Sequence, residues 1–164
     1  MVLGFFVSLC LLAPVDGPVA RPYVAPACPY CPGNRAIDYR VESGDGVVAP
    51  VSGTIRFVGR VAGVGYVTVD AEGHLVTVGG LDAFRADLVR GGAVGRGERL
   101  GSAAGDGVSL SLRRVIRVEG AERFEYVDPT PSLGRAVPRR ARLVSVDRPR
   151  RAGRNGRAVC VLAR

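Results

Sequence analysis

Short valine-rich runs recur along this chain, and glycine closes nearly every one of them. Between Gly53 and Gly59, Ile55 and Phe57 fall on one side of an extended segment, with Thr54 and Arg56 on the other. Gly65-Tyr66-Val67-Thr68-Val69-Asp70 predicts a further strand, and Leu75 to Val78 is placed to pair back on it through a turn at Glu72-Gly73. Val108-Ser109-Leu110-Ser111-Leu112 alternates cleanly and continues into Arg113-Arg114-Val115, with Ser109 and Ser111 on the polar face. Residues 36–41, 47–49 and 124–127 are shorter strand signals. Leu81, Phe84 and Leu88 lie near helical spacing, which predicts a short helix or turn over residues 81–89. The glycine-rich stretch 91–97 has no Lys-Ser/Thr ending, so it is not read as a phosphate loop. Short strands joined by tight turns predict an all-β domain, a single antiparallel sheet or open barrel, and exclude alternating strand–helix units. A chain of 164 residues has room for one such domain with a real core.

The two ends differ in character from the middle. Val2 to Leu12 is an apolar run too short to span a bilayer, but it has the length of a signal-peptide core, and Pro18-Val19-Ala20 offers a small-residue cut. A basic segment ahead of it is absent, so a buried first strand is the other reading of the run. Lipidation at Cys10 is disfavoured, because Leu9 is large for the preceding position. Residues 1–20 are therefore expected to be a signal-peptide-like segment. Residues 21–33 form a Pro- and Cys-rich entry loop, residues 34–133 the folded domain, and residues 134–164 an Arg-rich tail expected to be disordered. The formal charge of +8 is carried by arginine alone, much of it at Arg139, Arg140, Arg142, Arg148, Arg150, Arg151, Arg154, Arg157 and Arg164. Such a tail suits anionic envelope polymers, or it is simply solvated. It lacks the interleaved aromatics that stack bases, so specific nucleic-acid recognition is not expected. Loss of Cys10 with a signal peptide would leave Cys28, Cys31 and Cys160, an odd number in an oxidising compartment.

The runs Asn34-Arg35-Ala36-Ile37-Asp38 and Val48-Ala49-Pro50-Val51-Ser52-Gly53-Thr54-Ile55 resemble, in order and spacing, the opening motifs of the lysostaphin or LytM type of zinc metalloendopeptidase, in its secreted actinobacterial branch. Gly65-Tyr66-Val67, Val94-Gly95-Arg96-Gly97-Glu98-Arg99-Leu100-Gly101, Ser109 to Arg114 and Tyr126-Val127-Asp128-Pro129 continue the likeness. Residues 13–22 resemble the segment that precedes the domain in that branch, which would move a signal cut to near Ala13. The resemblance spans residues 13–133. It implies a β-sheet domain with a shallow groove, in which zinc activates water to cut peptide cross-bridges of peptidoglycan.

The same resemblance puts the three zinc ligands at Asn34, Asp38 and Ser109, and two further family histidines at Gly80 and Gly107. A hydrolytic zinc needs three protein ligands and an open position for water. Of those positions only Asp38 keeps a usable ligand. The chain contains a single histidine, His74, so no shift of the alignment restores a His-Asp-His site. Cys28, Cys31, Cys160 and His74 could compose a structural zinc set, and Cys28-Pro29-Tyr30-Cys31 has the spacing of a redox motif. The plainer reading is a local disulfide or a pair of loop thiols. A serine nucleophile at Ser109 or Ser111 would need a base that only His74 could supply. The expectation is a non-catalytic homologue with no cofactor, secreted or envelope-associated. It binds peptidoglycan, another envelope polymer or an unidentified partner protein through the old groove. The alternatives are an active metallopeptidase with a non-standard site and an envelope binder acting through the arginine tail.

Overall fold

A computed structural model describes residues 9–28 and 30–134. The expected tail falls almost entirely outside the described residues, as do Cys160 and residues 1–8 of the apolar run. Ten strands follow one another: β1 (Val19–Arg21), β2 (Ile37–Tyr39), β3 (Gly46–Val48), β4 (Gly53–Val61), β5 (Val64–Ala71), β6 (His74–Phe84), β7 (Ala93–Val94), β8 (Arg99–Ala103), β9 (Val108–Val118) and β10 (Ala121–Val127). They form one sheet in the order β1-β2-β9-β6-β5-β4-β7, with β10 on β9 and the β3–β8 pair joined to β6. Every strand pairing in it is antiparallel. The all-β expectation holds.

Three tight hairpins set the register of the long strands. Ala62-Gly63, Glu72-Gly73 and Glu119-Gly120 each place both turn residues at positive φ, from 49° to 85°. That backbone matches the right-handed strand twist and favours glycine at the second position. Alternation then decides which side is buried. Val108, Leu110 and Leu112 of β9 join Ile55, Val67, Val69, Val76, Val78 and Leu81 in the core. On the opposite face the Thr68 and Thr77 hydroxyls share a hydrogen bond of 2.8 Å. Arg113 Nη2 donates to Thr77 Oγ1 at 3.4 Å, and its guanidinium lies over the rings of Phe124 and Tyr126.

β6 is the hub, and its path corrects the first half of the helix or turn expected over residues 81–89: residues 81–84 are strand, and a turn follows, where Leu88 N–H donates to Arg85 O at 3.1 Å. His74 to Gly79 pair with β9; from Leu81 to Phe84 the strand pairs with β8 instead. The change of partner occurs at Gly80, where φ is +91°. The helical spacing of Leu81 and Phe84 arises because the strand bends there; backbone pairing, not a helix, holds both residues. His74, the single histidine of the chain, opens this strand.

The expected boundary near residue 20 is not a packing boundary. Leu11 is 1% exposed and Pro14 and Val15 are buried. Leu11 donates its N–H to Ser132 O, and Gly134 donates to Leu11 O, so the segment lies parallel to the end of the domain. Among the described residues no helix is long and apolar enough to cross a membrane.

The core contains one orphaned polar atom of consequence. Tyr39 is 3% exposed and its hydroxyl has no hydrogen-bond partner among the described residues. Burial pushes its phenol pKa above the ordinary value. A buried unpaired hydroxyl costs about 1–3 kcal/mol. Tyr39→Phe is therefore expected to stabilise the protein by about 1 kcal/mol, read as a rise of a few degrees in Tm. A fall in Tm would show that the hydroxyl has a partner after all.

Candidate functional site

The candidate site begins where β1, β2, β9 and β6 run side by side. Ile37 and Tyr39 point into the core, so Asp38 between them points out, and Ser109 stands opposite Asp38 on β9 for the same reason. Gly79 of β6 is the next neighbour of Ser109. A Cβ on Gly79 would lie 2.7 Å from Ser109 Oγ and would collide with the ring of Tyr66. Glycine at that position lets the tyrosine ring lie on the strand beside the serine.

Asp38, Ser109 and Tyr66 line a cleft of about 600 Å³. Asp38, Ser109, Gly80 and Gly107, singled out from the sequence, all reach its wall. Asn34 lies behind them, hydrogen-bonded to Asp38. It is fixed by paired backbone bonds with Val24, Val24 N–H to Asn34 O at 2.8 Å and Asn34 N–H to Val24 O at 2.9 Å. Its Nδ2 donates to Pro22 O at 2.9 Å and to Asp38 Oδ2 at 3.2 Å.

Asp38 has a second partner that the sequence did not suggest. Arg21 of β1 lies directly opposite it in register, and its Nε donates to the same Oδ2 at 2.9 Å. One carboxylate oxygen thus accepts from an amide and a guanidinium. The Arg21 side chain is 74% exposed, so the ion pair adds at most about 1 kcal/mol to stability. Its consequence is that a metal at Asp38 would share the carboxylate with, or displace, the guanidinium on Oδ2.

The donor set does not fit zinc. Asn34 offers an amide that donates to Asp38, Ser109 offers a neutral hydroxyl, and Asp38 is engaged by Arg21. Among the described residues no group of three or more His, Cys, Asp or Glu side chains is placed to hold a metal ion. His74 cannot complete the set. It is paired with Arg114, five residues along β9 from Ser109, or about 17 Å at the usual rise per residue. The same separation denies Ser109 a general base. The cysteines are committed elsewhere: Cys28 and Cys31 form a disulfide, and Cys10 is disulfide-bonded as well. A bonded sulfur is no thiolate ligand, which removes the Cys₃His set.

Arg40, Arg60, Tyr66, Asp82 and Asp106 also line the cleft, and sequence reasoning singled out none of them for the site. They come from β4, β5, β6 and two connecting segments, and no local motif joins them. Arg60 Nη1 donates to Gly63 O at 2.9 Å, and its Nη2 lies against Asp82.

Similar solved structures share this frame. Csd3 of Helicobacter pylori superposes with a TM-score of 0.64 at 18% identity, covering 79% of this chain and 36% of its own. Lysostaphin superposes at 0.58 and 14% identity, covering 86% of this chain and 62% of its own. The fold is lysostaphin-like. The catalytic domain of the prophage-encoded M23 protein EnpA from Enterococcus faecalis, in a mutant form, gives 0.54 at 20% identity over 70% of this chain and 90% of its own. At such identities the likeness is one of fold. This chain spans about a third of the Csd3 chain it matches, and no family model or curated protein matches it.

Proposed function

We propose that this chain is a non-catalytic relative of the M23 peptidoglycan peptidases, which binds a cell-wall polymer or a protein partner through the cleft at Asp38 and Ser109. The observation that carries the reading is the state of Asp38. It is the one acid among the three positions where the resemblance expects ligands, and Arg21 and Asn34 both donate to it. A guanidinium on one oxygen of that carboxylate, with an amide and a neutral hydroxyl at the other two positions, supports a site without the zinc-bound water that hydrolysis requires. Groups on the cleft wall remain available to a ligand: the Ser109 and Tyr66 hydroxyls and the Arg40 guanidinium. The lysostaphin-like fold supports a wall polymer as the ligand class. The Cys28–Cys31 disulfide suits an oxidising compartment and supports a place outside the cytoplasm.

The test is elemental analysis of the purified full chain after dialysis against trace zinc, with peptidoglycan turnover measured on the same sample. Metal well below one zinc per chain and no release of peptides are expected. Close to one zinc per chain together with released peptides would overturn the reading. Pull-down on wall fragments then locates the affinity. Ser109→Trp is expected to remove binding, and a chain ending at Gly134 to keep it. The reverse pattern, with steep loss in salt, would move the function to the tail.

A further inference from the structure

The charges in the cleft are not equivalent. Six ionisable side chains of fixed charge line it: Arg21, Asp38, Arg60, Asp82, Arg40 and Asp106. Arg21 is spent on Asp38 at 2.9 Å and Arg60 on Asp82 at 3.5 Å. Arg40 and Asp106 have no ion pair and no side-chain hydrogen bond among the described residues. One is a cation just past the end of β2, the other an anion in the loop between β8 and β9.

The placement of both is built into the backbone. Arg40 donates its N–H to Pro18 O at 2.9 Å, which holds the chain beside β1 while the side chain remains exposed. Asp106 lies between Gly105 and Gly107, at φ of +105° and +115°. These conformations favour glycine and turn the loop tightly at the cleft rim. The β6–β8 junction braces that loop, because Ala104 N–H donates to Gly80 O at 3.0 Å.

Resting on the binding reading above, we propose that the cleft recognises a zwitterionic ligand, a short peptide with a free carboxylate and a free ammonium. The carboxylate pairs with Arg40, whose planar guanidinium accepts a carboxylate in bidentate fashion. The ammonium pairs with Asp106. Ser109 and Tyr66 line the cleft with these two charges and offer hydroxyls to the peptide backbone. A purely anionic or purely cationic polymer leaves one of the two charges uncompensated, so net charge alone does not select this site. The internal pairing of Arg21 and Arg60 has the same consequence: the abundant arginine of the cleft does not make it a general anion trap.

The experiment is an NMR titration of the full chain with trialanine and its three blocked forms: N-acetylated, C-amidated and both. Free trialanine is expected to bind at least about tenfold tighter than either singly blocked form, with shifts centred on the amides of residues 38–41 and 105–109. Arg40→Gln should abolish the difference between trialanine and its amide while leaving the effect of acetylation. Asp106→Asn should do the converse. Both side chains are exposed and unpaired, so both variants retain the fold. Equal affinity for all four peptides, or shifts confined to other parts of the sheet, would overturn the proposal. Wall fragments that still bind in a Ser109-dependent way would then sink the zwitterion and leave the broader binding reading standing.

Discussion

A chain that begins at Arg21 is expected not to fold. The residues removed include Leu11 and Pro14, both among the fully buried side chains, and Val15, 7% exposed. They also include the acceptors of long-range backbone bonds. Gly134 donates to Leu11 O at 2.9 Å, Val48 to Pro14 O at 2.8 Å and Arg40 to Pro18 O at 2.9 Å. Leu12 N–H reaches Pro50 O at 2.8 Å, so the segment is stitched to β3, to the turn before β4 and to the end of the domain. Removing one buried leucine side chain typically costs about 2–5 kcal/mol. A small domain has only about 5–15 kcal/mol in total. Losing Leu11, Pro14, Val15 and two residues of β1 together is comparable with that margin. The expected result is loss of cooperative melting and of dispersed amide resonances. Leu11→Ala in the full chain is the graded version, expected to lower stability by about 3 kcal/mol and still melt cooperatively. If the shortened chain instead melts within a degree or two of the full one, the segment is peripheral and a signal cut near residue 20 regains its place.

Local pattern carried the strands and the tight turns and failed at long-range pairing. The alternation of Val108, Leu110 and Leu112 and the Glu72-Gly73 turn are short-range signals, and both stand in the structure as read. β1 offered nothing comparable. It has three residues, all exposed, and exists because its backbone finds β2 across the whole entry loop. That pairing is what brings Arg21 to Asp38, and no feature of residues 19–21 encodes it. Apolar residues ahead of them suited an export segment as well as a core strand, since both need leucine. Only long-range contacts, of Leu11 with residues 132–134, Leu12 with Pro50 and Pro14 with Val48, favour one reading over the other. The convergence of Asp38, Ser109, Gly80 and Gly107 on one cleft was legible, because a family pattern carries long-range register that composition and periodicity lack. Arg40, Arg60, Tyr66 and Asp106 lie outside that pattern.

The largest effect expected from a single substitution lies at Gly80. The resemblance places a histidine there, and this backbone leaves no room for one. Gly80 has φ of +91°, a region that costs a residue with a side chain about 1–3 kcal/mol. A Cβ there would also collide with Gly107 O, a backbone atom that cannot swing away as a side-chain tip could. The two terms together put Gly80→Ala at about 3 kcal/mol or more, and Gly80→His higher still. Gly107 provides the control. Its φ is +115°, but a Cβ there would lie 3.2 Å from Tyr39 O, so Gly107→Ala bears the conformational cost with little overlap, about 1–2 kcal/mol. Urea denaturation of the two variants separates sterics from conformation: Gly80→Ala should lose clearly more than Gly107→Ala, at unchanged m-value. The functional consequence follows from the same geometry. The obstacle to a histidine at this position lies in the backbone itself, where β6 changes partner. A histidine at position 80 would therefore distort the β6 junction, whereas one at position 107 would bear mainly the conformational cost. A Gly80→His chain that melts like the parent would show that the junction relaxes.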